Sequence, residues 1–322
     1  MDFAANFTAI DFETASRRED SACQLGLVVV REGRVADQAC WLIRPKPLYF
    51  HRANVEIHGI TAAQVRDQPE FGELWPEISA KLADDCLVAH NASFDLRVLL
   101  GTLRSHGQTI PEFSFTCTRA IAKRTWRQHQ RYGLKPLSDW LGIRFQHHDA
   151  LEDALACAKI LLAAGIDREA RSLEDLEKRL RLRRGKAGPW GFRAPAGSSY
   201  ARTPRRAAID RGLALTSVHE RRPATGRKSS EGAIDLQRLR IRAELIRPLA
   251  GSRVVLAGRF QVLSHPQAVD LVLRSGAECG DQVDQRMPDV RVVHEHELLD
   301  LLGTPTLVRG PNDVSSGDAI TG

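Results

Sequence analysis

The sequence predicts an α/β protein, with one mixed sheet flanked by helices and a smaller α/β unit at the far end. Three observations predict it. Residues 7–13, 24–31 and 39–43 are short apolar runs with strand character, the last two separated by the turn pair Glu32-Gly33. Helical and strand-like stretches then alternate up to residue 164. From residue 185 the composition shifts to Gly, Pro, Ser, Ala and Arg, and apolar patterning returns only near residue 236.

The first three runs are expected to form a meander. Residues 73–82 set Leu74, Ile78 and Leu82 on one helical face. Residues 87–90 read as a short buried strand. Residues 93–105 read as a helix with Leu96, Leu99, Leu100 and Leu103 on its apolar side. Residues 113–117 alternate like a strand end, and residues 137–141 form a short helix closed by Gly142. Residues 148–164 are the clearest helix, with Asp149 and Glu152 spaced as a capping box and Gly165 as the stop. Residues 172–184 are amphipathic and basic at the C-terminal end. Residues 185–232 read as largely disordered. Helix 236–249, strand 254–258, helix 267–274, strand 290–293 and helix 297–302 follow, then a tail. The expected divisions are 1–167, a basic helix and flexible linker over 168–247, a small unit over 248–303, and a tail over 304–322.

Net charge is +6, and its distribution is uneven. Residues 168–247 hold 21 basic and 9 acidic residues, whereas the flanking segments are both net acidic. Such a block, with Arg202, Arg205, Arg206, Arg211, Arg221, Arg222, Arg227 and Lys228 at its centre, suits a salt-sensitive nucleic-acid tether or a solvated spacer. The six cysteines show no zinc or C-x-x-C spacing, which favours a reducing, cytoplasmic setting. No apolar run is long enough for a membrane span, and the first eight residues do not read as a secretory leader.

Four carboxylates and a histidine carry the candidate chemistry. Asp11 and Glu13 stand two apart on a strand and therefore project from one face. Two like charges held together near a core call for a cation, and hard oxygen donors suit Mg²⁺ or Mn²⁺. Asp95 ends the run His90-Asn91-Ala92-Ser93-Phe94-Asp95, where a strand turns into a helix. His148 lies at the start of the clearest helix, and Asp153 about one and a half turns inside it.

In this order and on these elements, the residues resemble the DEDDh 3′→5′ exonuclease superfamily, which includes the proofreading epsilon subunits of bacterial DNA polymerase III. The matching stretches are 9–14, 57–61, 88–95 and 147–154, within residues 6–165. The resemblance implies a ribonuclease H-like fold and two bound Mg²⁺ or Mn²⁺ ions. It implies Asp11, Glu13, Asp95 and Asp153 as metal ligands and His148 as general base. It places Thr14, His58, Asn91 and Phe94 near the terminal nucleotide. Single-stranded or frayed 3′ ends of DNA are the implied substrate, with RNA left open, and a DNA polymerase or repair protein is the implied partner. An inert scaffold is the competing reading, and the intact set of five residues speaks against it. Residues 249–303 resemble a BRCT-type domain, but the stretch 283–290 is short for that family. Ala257 stands where its phosphopeptide-binding members carry Ser or Thr.

Overall fold

The computed structural model describes residues 3–82, 85–197, 235–280 and 290–303. In chain order the elements begin with β1 (Phe7–Thr14), β2 (Ala22–Arg31), β3 (Arg34–Leu42), α1 (Arg52–His58), α2 (Ala62–Val65) and α3 (Phe71–Leu82). Then come β4 (Cys86–Ala89), α4 (Ser93–Ser105), β5 (Phe113–Cys117), α5 (Thr118–Thr125), α6 (Leu134–Leu141), α7 (Ala150–Asp167) and α8 (Leu173–Arg179). Four short strands follow: β6 (Leu182–Arg183), β7 (Gly185–Gly188), β8 (Gly191–Arg193) and β9 (Ala196–Gly197). The last group is α9 (Leu236–Ile246), β10 (Arg253–Leu256), α10 (His265–Arg274), β11 (Glu278–Gly280), β12 (Val290–Val293) and α11 (Glu295–Leu301).

The main sheet has seven strands in the order β3-β2-β1-β4-β5-β7-β8. The β1-β2-β3 meander is antiparallel, whereas β1-β4 and β4-β5 pair in parallel, giving the mixed, ribonuclease H-like sheet the motifs imply. Strand β1 lies inside it, with a core on each face. Phe7 and Ala9 pack with Ala154, Cys157 and Leu161 of α7, and Ile10 and Phe12 pack with the α3 and α4 residues Phe71 and Leu96. Asp11 and Glu13 continue the Phe7–Ala9 face, so strand parity alone directs both carboxylates towards α7. Each fully buried Leu, Ile or Phe contributes about 1.5–3 kcal/mol relative to exposure. Two such clusters offset the cost of holding several carboxylates beside the core.

Two glycines let α7 lie where it does. Gly26 on β2 pairs with Asp11 across the sheet. A Cβ at Gly26 would come within 2.1 Å of the Ala150 carbonyl oxygen. At the other end, a Cβ on Gly165 would meet the Phe3 ring at 2.3 Å. Gly165 is therefore a close-packing residue inside the helix rather than the expected stop, and α7 runs on to Asp167. The capping box at its start is only half made. Asp149 accepts from the Leu151 and Glu152 N–H groups, but its own N–H donates to Gln146 O.

The structure corrects the expected disorder at residues 185–193. These residues form β7 and β8, which extend the sheet beyond β5, with Phe192 edge-on to Phe115 at 6.0 Å. Gly-Lys-Ala-Gly carries no strand-favouring side chain. Its pairing is made by backbone groups that any residue supplies. Helix 172–184 is likewise shorter than expected and ends at Arg179. The arginine-rich centre, Arg202 to Lys228, lies outside the described residues, as do the stretch 281–289 and the tail 304–322. The last unit is a three-stranded parallel sheet, β11-β10-β12, with its own core of Val254, Leu271, Val272, Val293 and Leu298. Helix α9 serves both cores, with Leu239 and Ala243 in this one and Ile241 in the first.

Candidate active site

Three of the four carboxylates converge. One oxygen each from Asp11, Glu13 and Asp153 lie within 4.8 Å of one another. Asp11 and Glu13 come from β1, and Asp153 from the first turn of α7. Asp95, 1% exposed in the first turn of α4, accepts the Phe12 N–H at 3.2 Å through Oδ1. Its Oδ2 is buried with no partner. Asp95 is thereby held against β1, close enough for its charge to be felt by Asp11 and Glu13.

The electrostatics are those of clustered, buried carboxylates. Burial, then the neighbouring carboxylates, push Asp11 well above the usual range. Burial pushes Glu13 up to about 8, with Asp153 and Asp95 adding to it. Burial lifts Asp95 to about 7 against hydrogen bonds that pull it down. Asp153 is also raised by burial, opposed by the bond from His147. Folded chains hold several unpaired carboxylates together at this cost only where something else supplies positive charge. The partnerless Asp95 Oδ2 and the three converging oxygens fit hard divalent ions.

His148 adopts a left-handed backbone, φ 70°, at the junction before α7. That conformation is uncommon for a non-glycine residue and marks a constrained position. Its Nδ1 sits 3.9 Å from Glu13 Oε1, and its N–H donates to Asp153 Oδ2 at 3.2 Å. Burial, then the adjacent His147, lower its pKa, so the imidazole is neutral at neutral pH.

A cleft of 440 Å³ joins these groups, lined among others by Asp11, Glu13, Thr14, His58, Phe94, His148 and Asp153. Thr14 is 7% exposed; its carbonyl accepts from Asn54 Nδ2 at 2.8 Å and lies 3.2 Å from His58 Nε2. His58 ends α1, and Gly59 closes the helix at φ 76°. Phe94 presents a half-exposed ring to the cleft. Asn91 does not line it: the residue takes a left-handed turn, φ 68°, and its carbonyl accepts the Phe94 N–H at the start of α4.

Sequence reasoning missed His147, Asn54 and His90. His147 Nδ1 faces both Asp153 oxygens at 3.1 Å, and its ring stacks on His148 at 3.9 Å. The only sequence signal was adjacency to His148. Asn54 and His58 stand at i and i+4, a one-face helical spacing that gains meaning only once α1 is seen. His90 is held neutral by burial, with its pKa lowered to about 4, and its Nε2 donates to Tyr132 O at 3.0 Å.

Clustered acids on a central strand, supported from two helix starts and flanked by a neutral imidazole, could hold divalent metal ions. Residues 8–161 match the profile of the Exonuclease family (RNase_T). This stretch is 32% identical over 161 residues to the DNA polymerase III PolC-type of Thermotoga petrophila, covering 49% of this chain and 12% of that protein. It is 29% identical over 160 residues to exodeoxyribonuclease 10 of Escherichia coli, covering 48% of this chain and 66% of that protein. Among solved structures, exonuclease X in complex with 5′-overhanging duplex DNA is 26% identical with TM-score 0.44, covering 54% of this chain and 99% of that one. The chain thus spans a small part of the polymerase and about two thirds of exodeoxyribonuclease 10.

Proposed function

We propose that this chain removes nucleoside 5′-monophosphates one at a time from DNA 3′ ends, in proofreading or repair. The observation that carries the reading is the convergence of Asp11, Glu13 and Asp153 within 4.8 Å, with Asp95 bonded to the Phe12 N–H between the two β1 acids and the His148 ring beside Glu13. Asp11, Glu13, Asp95 and Asp153 would hold two Mg²⁺ or Mn²⁺ ions. When bound, these ions supply charge stabilisation at the reacting phosphate and acidify the attacking water. His148 takes the proton from that water, its imidazole being neutral and 40% exposed on the cleft side. His147 fixes the Asp153 carboxylate and the plane of the His148 ring. Asn54 and His58 fix the Thr14 backbone, and Phe94 offers a ring against the terminal base. DNA is favoured over RNA because the two relatives similar in sequence bear the names of a DNA polymerase and an exodeoxyribonuclease.

For the C-terminal unit we infer a BRCT-type module that docks a polymerase or repair protein. The parallel order β11-β10-β12 supports it. Ala257 brings no hydroxyl, which argues against a phosphoserine ligand.

The test uses end-labelled single-stranded DNA and RNA with Mg²⁺, with and without chelator, against Asp11→Ala. A ladder from the 3′ end of DNA, abolished by chelator and by the substitution, is the expected result. Degradation of RNA alone would reassign the substrate. Cleavage that survives Asp11→Ala would refute the site.

A further inference from the structure

A second cavity, of 740 Å³, lies among α5, the following loop, α6 and the start of α9. Arg124, Arg127 and Arg168 border it, together with the rings of Trp126, His129 and Trp140. The rings form one cluster, with Trp126–Trp140 and His129–Trp140 centroids each 5.1 Å apart. Trp126 is 5% exposed, and its Nε1–H has no acceptor; His129 Nε2 is likewise buried and partnerless. A buried polar group left unpaired costs about 1–3 kcal/mol. Both belong to residues that border this cavity.

The charge points the same way. Residues 113–138 contain six basic residues and no acidic one, inside a domain that is net acidic. Arg127 is exposed with no carboxylate partner among the described residues. Asp235, the one carboxylate bordering the cavity among the described residues, accepts the Arg238 N–H at 3.0 Å as the cap of α9. Arginines beside aromatic rings match a phosphate joined to a base: the guanidinium takes the phosphate oxygens and the ring takes the π-face.

The cavity is also tied to the catalytic cleft. The Tyr132 hydroxyl donates to Trp126 O at 2.6 Å, and the Tyr132 carbonyl accepts from His90, which lines the cleft. One residue thus anchors the walls of both.

We propose that this cavity is a second nucleotide pocket, taking one nucleoside monophosphate unit with its phosphate on Arg124 and Arg127 and its base against Trp140 and His129. The inference rests on the exonuclease reading above. The unit comes either from the substrate strand, several residues back from the 3′ end, or from a released mononucleotide.

Two measurements on the full chain separate these sources. The first is the ratio of kcat/KM on an octadeoxynucleotide to that on a dinucleotide, for wild type, Arg127→Glu and Trp140→Leu. A strand nucleotide in the pocket predicts a ratio about tenfold lower in Arg127→Glu, with a salt slope shallower by about one. Trp140→Leu should lower it about fivefold or more through lost stacking. The second is tryptophan fluorescence of the turnover-blocked Asp11→Asn protein titrated with dAMP. Quenching by dAMP that Arg127→Glu abolishes, with the ratio unmoved, assigns the pocket to free mononucleotide. An unmoved ratio together with no Arg127-dependent quenching overturns the proposal. Because Arg127 is exposed, its substitution leaves the core intact. Failure of the wild type to hydrolyse any oligonucleotide would sink the exonuclease reading instead, and the fluorescence arm would still decide the pocket.

Discussion

The two folded units treat their acidic residues in opposite ways. In the C-terminal unit the carboxylates are matched. Glu295 accepts the N–H groups of Gln261, Val262 and Leu263, and although burial works to raise it, these bonds hold it below the usual range. Asp270 and Glu244 bracket Arg274, at 3.0 Å each. In the first domain, Asp11, Glu13, Asp95 and Asp153 crowd together with every one of them raised. A carboxylate surrounded by N–H donors and guanidinium groups is serving the fold. A group of buried carboxylates that stays raised despite the few N–H donors it has, with no guanidinium or ammonium beside it, destabilises the fold on its own, and its retention points to a ligand.

The largest effect expected from this contrast is on the pH dependence of stability. Glu13 titrates at about 8 in the fold against its ordinary 4.5, and Asp95 at about 7 against 3.8. A raised acid keeps its proton in the fold at pH values where the unfolded chain has lost it. The folded state then binds more protons, so stability falls as pH rises. Metal-free protein should be most stable below about pH 4 with respect to these groups and lose that stability progressively towards pH 8. Mg²⁺ should flatten the slope, and so should Asp11→Asn or Glu13→Gln in the presence of chelator. Urea midpoints across pH check this; a midpoint that climbs from pH 5 to 8 in chelator, wild type and variants alike, would contradict the burial argument.

Next in size is Gly26→Ala. The added methyl must displace the Ala150 backbone and with it Asp153, because nothing flexible stands in between. Overpacking of this kind costs about 1–3 kcal/mol, and activity should fall by more than the lost folded fraction explains. Thermal melts run beside single-turnover rates would show whether both change together. The smallest effect belongs to Glu295→Gln. Its amide oxygen can keep the Val262 and Leu263 bonds, but the amide nitrogen cannot accept from Gln261, so one surface bond and the charge assistance of the other two are lost, about 1 kcal/mol in the C-terminal unit. Nuclease rates should not follow it, and a matching drop in rate would mean the two units are coupled more tightly than through α9.

Much of the site was legible because its pattern is local. Strand parity puts Asp11 and Glu13 on one face, a strand-to-helix turn places Asp95, and helix rise separates His148 from Asp153. What the sequence hid was non-local. His147 looked like a spare histidine until its ring was seen against Asp153. Asn91 takes a left-handed turn before α4 and is not among the residues lining the cleft. The basic face at residues 113–138 vanished into the net negative charge of its own domain, and residues 185–193 resembled a linker because their pairing is made by backbone alone.

By itself, the sequence determined which residues are acidic and, within the periodic segments, which side of each element the functional groups occupy, since periodicity of 2.0 or 3.6 residues is a property of the chain. Tertiary structure decided the distances between them. Asp11 and Asp153 meet because a missing side chain at residue 26 lets a helix settle on the sheet, and steric contact between segments 124 residues apart leaves no trace in local pattern.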